Sequence, residues 1–272
     1  MNDNQTYPLV SVIIPYFNHG DFIDDAIHSI LRQEYSSLEI IVIDDCSTQK
    51  DSIEKYELLN GTNVIKLRTI QNSGPSVARN LGIKAAKGKY ILPLDGDDQL
   101  GDIFIKEAIE RMETDSQIMV VYGNGHKFGA LDQPLHVLPF EQFTFLHFNP
   151  LFVTALIRRT ALEEVGLYDE HLSKLGLEDW ELWISFGERQ YKFKKLELCF
   201  LKIRILNNSR TFQVANKNLD SIYEYIYKKH WKFLFNSYEF LLAQNRDIYR
   251  TWEYRLGQKV LSPIRKLKSI LR

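Results

Sequence analysis

Residues 72–98 read "NSGPSVARNLGIKAAKGKYILPLDGDD" and hold three signals in succession. "SVARNLGIKAAKG" carries apolar residues three and four apart, which predicts a helix opened by a glycine turn and closed on Gly88. "KYILPL" (89–94) is a short apolar run, as a strand buried on both faces would be. It stops in three carboxylates within four positions, Asp95, Asp97 and Asp98. Carboxylates that close repel one another and raise one another's pKa, so either a positive group sits among them or the segment is a well-solvated turn.

The same alternation runs outward over the first 125 residues. "LVSVIIP" (9–15), "LEIIVID" (38–44), "NVIKLRTI" (63–70) and "QIMVVYG" (117–123) read as further buried strands. In "DFIDDAIHSILRQ" the residues Ile23, Ala26, Ile27, Ile30 and Leu31 share one helical face behind an acidic start. Strands alternating with helices imply right-handed βαβ units, an α/β fold and a mainly parallel sheet. Such sheets bind ligands beyond the carboxyl ends of their strands. Those ends carry Pro15, Tyr16 and Phe17, then Asp44 and Asp45, then Asp95, Asp97 and Asp98, with Arg79 on the helix after the third strand. Together they describe a pocket.

Beyond this half, "HKFGALDQPLHVLPFEQFTFLHFNP" (126–150) reads as an irregular segment, facing a ligand or simply packed. "LFVTALIRRTALEEVG" predicts a strand and a helix, "GLEDWELWISF" a helix behind an acidic start, and "YKFKKLELCFLKIRI" paired strands. Residues 211–249 read as helical. In 250–272, seven Lys or Arg stand against one Glu, and Trp252, Leu256, Val260, Ile264, Leu267 and Leu271 recur every three or four residues. That is the make-up of a segment lying on an anionic membrane surface, with Pro263 kinking it. A helix packed on the enzyme's own acidic body is the competing reading.

Composition narrows the field. A net charge of -1 argues against whole-molecule nucleic-acid binding, and two distant cysteines offer neither a disulfide framework nor a metal knuckle. The first residues do not read as a signal peptide and no run of 18 apolar residues occurs, so a cytoplasmic protein is expected. For "LDGDD", an EF-hand fails because Leu100 and Lys106 stand where Gly and Glu are needed. A haloacid-dehalogenase-type phosphatase has its nucleophile on the first strand, whereas this motif ends the fourth. Carboxylates holding Mg²⁺ or Mn²⁺ against a nucleotide diphosphate remain, beside the solvated turn.

"VSVIIPYFNHGDFIDDAIHSIL", "IIVIDDCST", "NSGPSVARNLGIKAAKGKYILPLDGDD" and "GLEDWELWISF", in this order, resemble glycosyltransferase family 2 over about residues 9–210. The resemblance implies a GT-A (Rossmann-like) fold: a catalytic domain over 1–210, with a nucleotide-sugar half over about 9–125 and an acceptor half over about 126–210. A helical extension, 211–272, would follow. It implies an inverting, metal-dependent transferase of the bacterial surface-polysaccharide type. The donor would be a nucleotide-diphosphate sugar, the acceptor a saccharide or lipid-linked saccharide, and the cofactor Mn²⁺ or Mg²⁺. Pro15, Tyr16 and Phe17 would wall the base, with Asp44 or Asp45 on its edge, Arg79 reaching the base or diphosphate, and Asp95 on the ribose. Asp97 would hold the metal, assisted by Asp95 and Asp98. Asp179 would be the catalytic base, Glu178 beside it a second catalytic residue that hydrogen-bonds the acceptor or the neighbouring loop, and Trp180 a substrate-binding residue. The chain departs from the family at Cys46, where glycine is usual, and at Ile203 before Arg204. It lacks the transmembrane helices and QxxRW box of processive synthases. A nucleotidyltransferase or a non-catalytic nucleotide-sugar-binding protein are the alternatives.

Overall fold

The computed structural model describes residues 7–61, 63–140, 148–149, 151–206 and 210–250. Strands β1 (Val10–Tyr16), β2 (Leu38–Asp44), β3 (Val64–Arg68) and β4 (Tyr90–Pro93) lie parallel in the order β3-β2-β1-β4. Parallel neighbours need long crossovers, and α1 (Ile23–Leu31), α2 (Lys50–Leu58) and α3 (Pro75–Ala85) supply them.

The chain then adds β5 (Gln99–Leu100), α4 (Phe104–Thr114), β6 (Ile118–Gly129), β7 (Gln133–Leu135), β8 (Leu156–Arg158) and α5 (Arg159–Val165). A 3₁₀ turn (Glu170–Leu172), α6 (Glu178–Glu188) and β9 (Lys192–Ile205) follow. The sheet continues past β4 as β8, β6, β9 and β5, with β8 antiparallel to both neighbours. This is the expected α/β architecture with flanking helices, built on a mixed sheet: parallel over β3-β2-β1-β4 and between β6 and β9, antiparallel at its other pairings.

Strand alternation divides the core between two layers. Val10, Val12, Ile14 and Tyr16 of β1 pack with α1 and α4, through Ile23, Ile30, Phe104 and Met112. Ile13 points the other way, to Ala78 and Ile83 of α3 and to Leu182, Trp183 and Phe186 of α6. With both faces covered, the inner strands are mostly apolar, as β2 is at Ile40, Ile41, Val42 and Ile43.

Several expectations are corrected. Helix α3 stops at Ala85 instead of closing on Gly88, because Glu39, buried on β2, draws the next backbone away. Its Oε1 accepts from Lys87 N–H at 2.6 Å and Gly88 N–H at 3.2 Å. A Cβ on Gly88 would stand 2.5 Å from Ser11 Oγ, so this glycine serves close approach and not a helix end. Residues 126–135 are not irregular: β6 runs on to Gly129 and pairs with β7. "YKFKKLELCFLKIRI" is one long strand, β9, beside β6. Residues 141–147 and 150 of the expected loop lie outside the described residues.

Helices α7 (Arg210–Lys229) and α8 (Trp231–Arg250) form the C-terminal part. The chain divides into two compact units, 1–225 and 226–272, with the break inside α7. The basic tail expected over 250–272 lies, from residue 251, outside the described residues. Among those described, no helix is long and apolar enough to cross a membrane.

Candidate functional site

The carboxyl ends of β1, β2 and β4, the start of α3 and the start of α6 meet at one edge of unit 1. Each expected residue lies on one of these elements, but in differing roles.

Asp45, just past β2, anchors the turn ahead of α3. Its carboxylate accepts from Ser73 N–H at 2.9 and 3.1 Å, Gly74 N–H at 2.6 Å and the Thr69 hydroxyl at 2.7 Å. Gly74 has φ +86, and a Cβ there would lie 2.4 Å from the Ser173 carbonyl oxygen, so only glycine fits. Ser173 Oγ in turn accepts from the N–H groups of Ser76 and Val77 at 3.1 and 3.3 Å, satisfying orphan donors of α3. Asp44 is buried and accepts from Arg68 Nε at 2.8 Å and Ser47 N–H at 2.9 Å. Both aspartates are thus engaged in holding loops.

Pro15 and Phe17 have the parity to face the site; Tyr16 does not. Its ring is fully buried under the helices, stacked 5.8 Å from Tyr56, with its hydroxyl donating to Ser52 O at 2.6 Å. Tyr16 therefore does not line the edge on which Pro15 and Phe17 lie. Trp180 is likewise buried and sets its ring edge-on to Tyr223 at 5.2 Å, so it supports the site from within.

Arg79 is the largest departure. A helix arginine usually lies in solvent; this one is only 3% exposed and bridges two carboxylates. Nη2 donates to Asp95 Oδ1 at 2.7 Å and Nη1 to Glu178 Oε1 at 2.8 Å, over the Tyr168 ring. Burial alone would lower its pKa, but Asp95 and Glu178 outweigh that and hold it charged. It ties the end of β4 to the start of α6.

Glu178 is thereby committed, and Asp179 is not. Asp179 is half-buried at the start of α6, accepting from Asn149 Nδ2 at 2.7 Å and from its own Trp180 N–H at 2.9 Å. Burial, then the neighbouring Glu178 charge, push its pKa up to about 7. A carboxylate poised there can take a proton near neutral pH.

The "DGDD" turn separates its three aspartates. Asp95 pairs with Arg79, and Asp98 accepts from the Arg204 N–H at 2.9 Å, its pKa well raised by burial, then by Asp95 and Asp97. Asp97 finds no donor but its own backbone among the described residues, and burial raises its pKa despite the nearby His19. Three buried polar atoms around these groups also lack partners: His19 Nδ1, Arg79 Nε and Tyr168 Oη. Buried polar atoms of this kind call for a ligand atom or water.

No three His, Cys, Asp or Glu side chains converge to enclose a metal by themselves among the described residues. A Mg²⁺ or Mn²⁺ site shared with phosphates needs only one or two carboxylates. An unpaired, half-buried carboxylate meets that need, so the residues fit such an ion.

The model of the family described as glycosyl transferase family 2 matches residues 11–166, more than half of the chain. The chain belongs to that family. A protein of Bacillus subtilis named as a teichuronic acid biosynthesis glycosyltransferase, TuaG, is 29% identical over 210 residues, 74% of this chain and 81% of its own. A glycosyltransferase of Rickettsia typhi is 31% identical over 242 residues, 83% of this chain and 71% of that one. The fold matches TarS of S. aureus, solved with UDP-GlcNAc, at a TM-score of 0.62 and 20% identity, covering 75% of this chain and 60% of that one. The transferase thus spans less than two thirds of the solved chain. Membership sets aside the nucleotidyltransferase alternative.

Sequence reasoning missed Asn149, Ser173 and Tyr168 around the glycosyltransferase site. Asn149 lies in an aromatic, proline-rich stretch with no periodicity, so no local pattern marks it. Cys46 sits at φ +58, a conformation that glycine adopts freely and other residues rarely.

Proposed function

We propose that this chain is an inverting glycosyltransferase that moves a sugar from a nucleoside-diphosphate sugar to a hydroxyl acceptor in cell-surface polysaccharide assembly. The observation that carries this reading is Asp179, a half-buried carboxylate with its pKa raised to about 7, beside the Glu178–Arg79–Asp95 chain of ion pairs. Asp179 takes the proton from the acceptor hydroxyl as that oxygen attacks the anomeric carbon. The bond from that carbon to the diphosphate oxygen breaks in the same displacement, so configuration inverts. Glu178, held by Arg79, keeps Asp179 under a like charge that raises its basicity. Pro15 and Phe17 offer apolar surface to the base, while Asp44 and Asp45 act through the loops they hold. Asp95 faces the ribose from its pairing with Arg79. Asp97 would hold Mg²⁺ or Mn²⁺, which as a Lewis acid stabilises the departing diphosphate.

The donor class follows from the family, and TarS, whose fold is shared, has been solved with UDP and with UDP-GlcNAc. The polysaccharide context is drawn from the name of the Bacillus subtilis relative.

The acceptor side is proposed to lie at an anionic membrane surface. Residues 226–272 hold 11 Lys or Arg against 3 Asp or Glu, whereas 1–225 hold 23 against 32. On α8, Trp231, Phe235 and Tyr238 are more than half exposed at spacings of four and three, one helical face. Aromatic residues beside lysines suit a bilayer interface.

A panel of sugar nucleotides tests the reading, scored by thermal stabilisation with and without Mn²⁺. Transfer to lipid-linked saccharide acceptors is then followed by NMR of the product anomer. Stabilisation by one sugar nucleotide and an inverted product are expected. No stabilisation by any donor would overturn the reading, and binding without release of nucleoside diphosphate in any acceptor mixture would leave only a binding protein.

A further inference from the structure

Asp97 is the free carboxylate of the "DGDD" turn, so what fixes its direction matters. Within the turn, one backbone bond serves, Asp98 N–H to Asp95 O at 3.1 Å. Asp95 is held by Arg79, and the hold on Asp97 and Asp98 comes from a residue more than a hundred positions away. Arg204 on β9 donates its backbone N–H to Asp98 Oδ1 at 2.9 Å and its Nε to the Asp97 carbonyl oxygen at 3.1 Å. Its Nη2 donates to Asp25 Oδ2 on α1 at 2.7 Å. The guanidinium lies between two rings, 4.6 Å from the Phe22 centroid and 4.5 Å from that of Phe128.

This geometry has a specific consequence. A guanidinium clamped between two aromatic faces keeps its plane, and a planar fork makes several bonds at little entropic cost. The Asp97 carbonyl is fixed on one side and the Asp98 carboxylate on the other, which leaves the Asp97 side chain as the part of the turn still free to meet a ligand. Lysine could keep the charge but neither the stacking nor the fork.

We propose that Arg204 is a positioning residue for the cation and diphosphate site, aiming Asp97 without touching the ion. The inference rests on the reading of Asp97 as the residue that holds the cation. Partners that orient a metal ligand change metal affinity by about 10- to 100-fold when removed.

The test is Mn²⁺ binding followed by electron paramagnetic resonance, alone and with UDP, for wild type, Asp97→Ala, Arg204→Met and Arg204→Lys. Arg204→Met should raise the Mn²⁺ dissociation constant about tenfold or more, and Arg204→Lys should restore little of it. UDP affinity in the absence of metal should stay within about twofold, a pattern that general loosening would not give. Phe128→Leu, which removes one stacking face, should show a smaller loss in the same direction and serves if Arg204→Met fails to fold. If Asp97→Ala loses Mn²⁺ binding while Arg204→Met and Phe128→Leu keep it, Arg204 is not the positioning residue. If Asp97→Ala itself keeps Mn²⁺ binding, the cation reading falls and this inference falls with it.

Discussion

Arg79 and Glu178 stand 99 positions apart in the chain and 2.8 Å apart in space, and their bond joins the donor-side strands to the helix carrying Asp179. Because Arg79 also holds Asp95, one buried guanidinium neutralises a carboxylate from each half of the site. The pairing decides which of the two acidic residues opening α6 carries a guanidinium partner.

Removing that guanidinium should be costly. Arg79→Met leaves Glu178 and Asp95 without their counter-charge, and breaking a buried pair this way costs on the order of 3 kcal/mol. Urea unfolding of Arg79→Met, Glu178→Gln and the double variant should give a coupling energy of about 1–3 kcal/mol. Additive effects would mean the pair is not energetically linked.

Asp179→Asn keeps the size of the side chain and its ability to accept from Asn149, and loses the proton acceptor. Its kcat should fall by about two to four orders of magnitude with donor affinity retained. Glu178→Gln should act mainly on stability and donor affinity, since Glu178 already serves Arg79. Should Glu178→Gln abolish transfer while Asp179→Asn works at the wild-type rate, the base has been assigned to the wrong residue.

A pKa near 7 for Asp179 makes two predictions about pH. The rate should climb about tenfold per unit on the acid side and level off above about 7, as the base loses its proton. Stability should move the opposite way. An unfolded aspartate titrates near 3.9, so between about 4 and 7 the folded state binds more protons than the unfolded one. Stability from this group therefore falls as pH rises through that window. Asp179→Asn escapes the loss, so its melting temperature should gain on wild type between pH 5 and pH 8. A constant difference across that range would contradict the raised pKa.

Asp97→Ala should abolish Mn²⁺-dependent nucleotide binding and leave the fold intact, because among the described residues no other side chain hydrogen-bonds its carboxylate. Asp95→Ala should weaken that binding less completely and also loosen Arg79. Calorimetry in which Asp97→Ala binds donor with unchanged metal dependence would return "DGDD" to the status of a turn.

Vesicles carrying anionic lipids should co-sediment with the protein, and binding should weaken as salt rises. Replacing Trp231 and Phe235 by alanine should reduce that binding, and brominated lipids should quench Trp231 in the wild type. Equal sedimentation of wild type and the double variant, or equal binding to neutral vesicles, would remove the aromatic face from the membrane model. A concentration-dependent dimer in place of vesicle binding would assign the face to a second copy of the chain.

What the sequence by itself determined was everything set by short-range pattern. The apolar runs at 9–15, 38–44 and 89–94 became β1, β2 and β4, since a strand buried on both faces is built mainly from apolar residues. The acidic ends of those strands then followed from where a parallel sheet opens. Glu178 and Asp179 were likewise legible as the charged start of a helix.

The rest depended on partners far along the chain. Tyr16 turned from the site because β1 alternates, and only the packing of α1 and α2 settled which parity is inside. The end of α3 was moved by Glu39, a buried acceptor on another strand. Arg79 reads from sequence as a surface helix cation, and became a buried bridge because α6 delivers Glu178 to it. Desolvation and charge pairing depend on three-dimensional neighbours and not on sequence spacing. For that reason, which aspartate is paired with an arginine, which anchors a loop and which has its pKa raised was decided only by the tertiary structure.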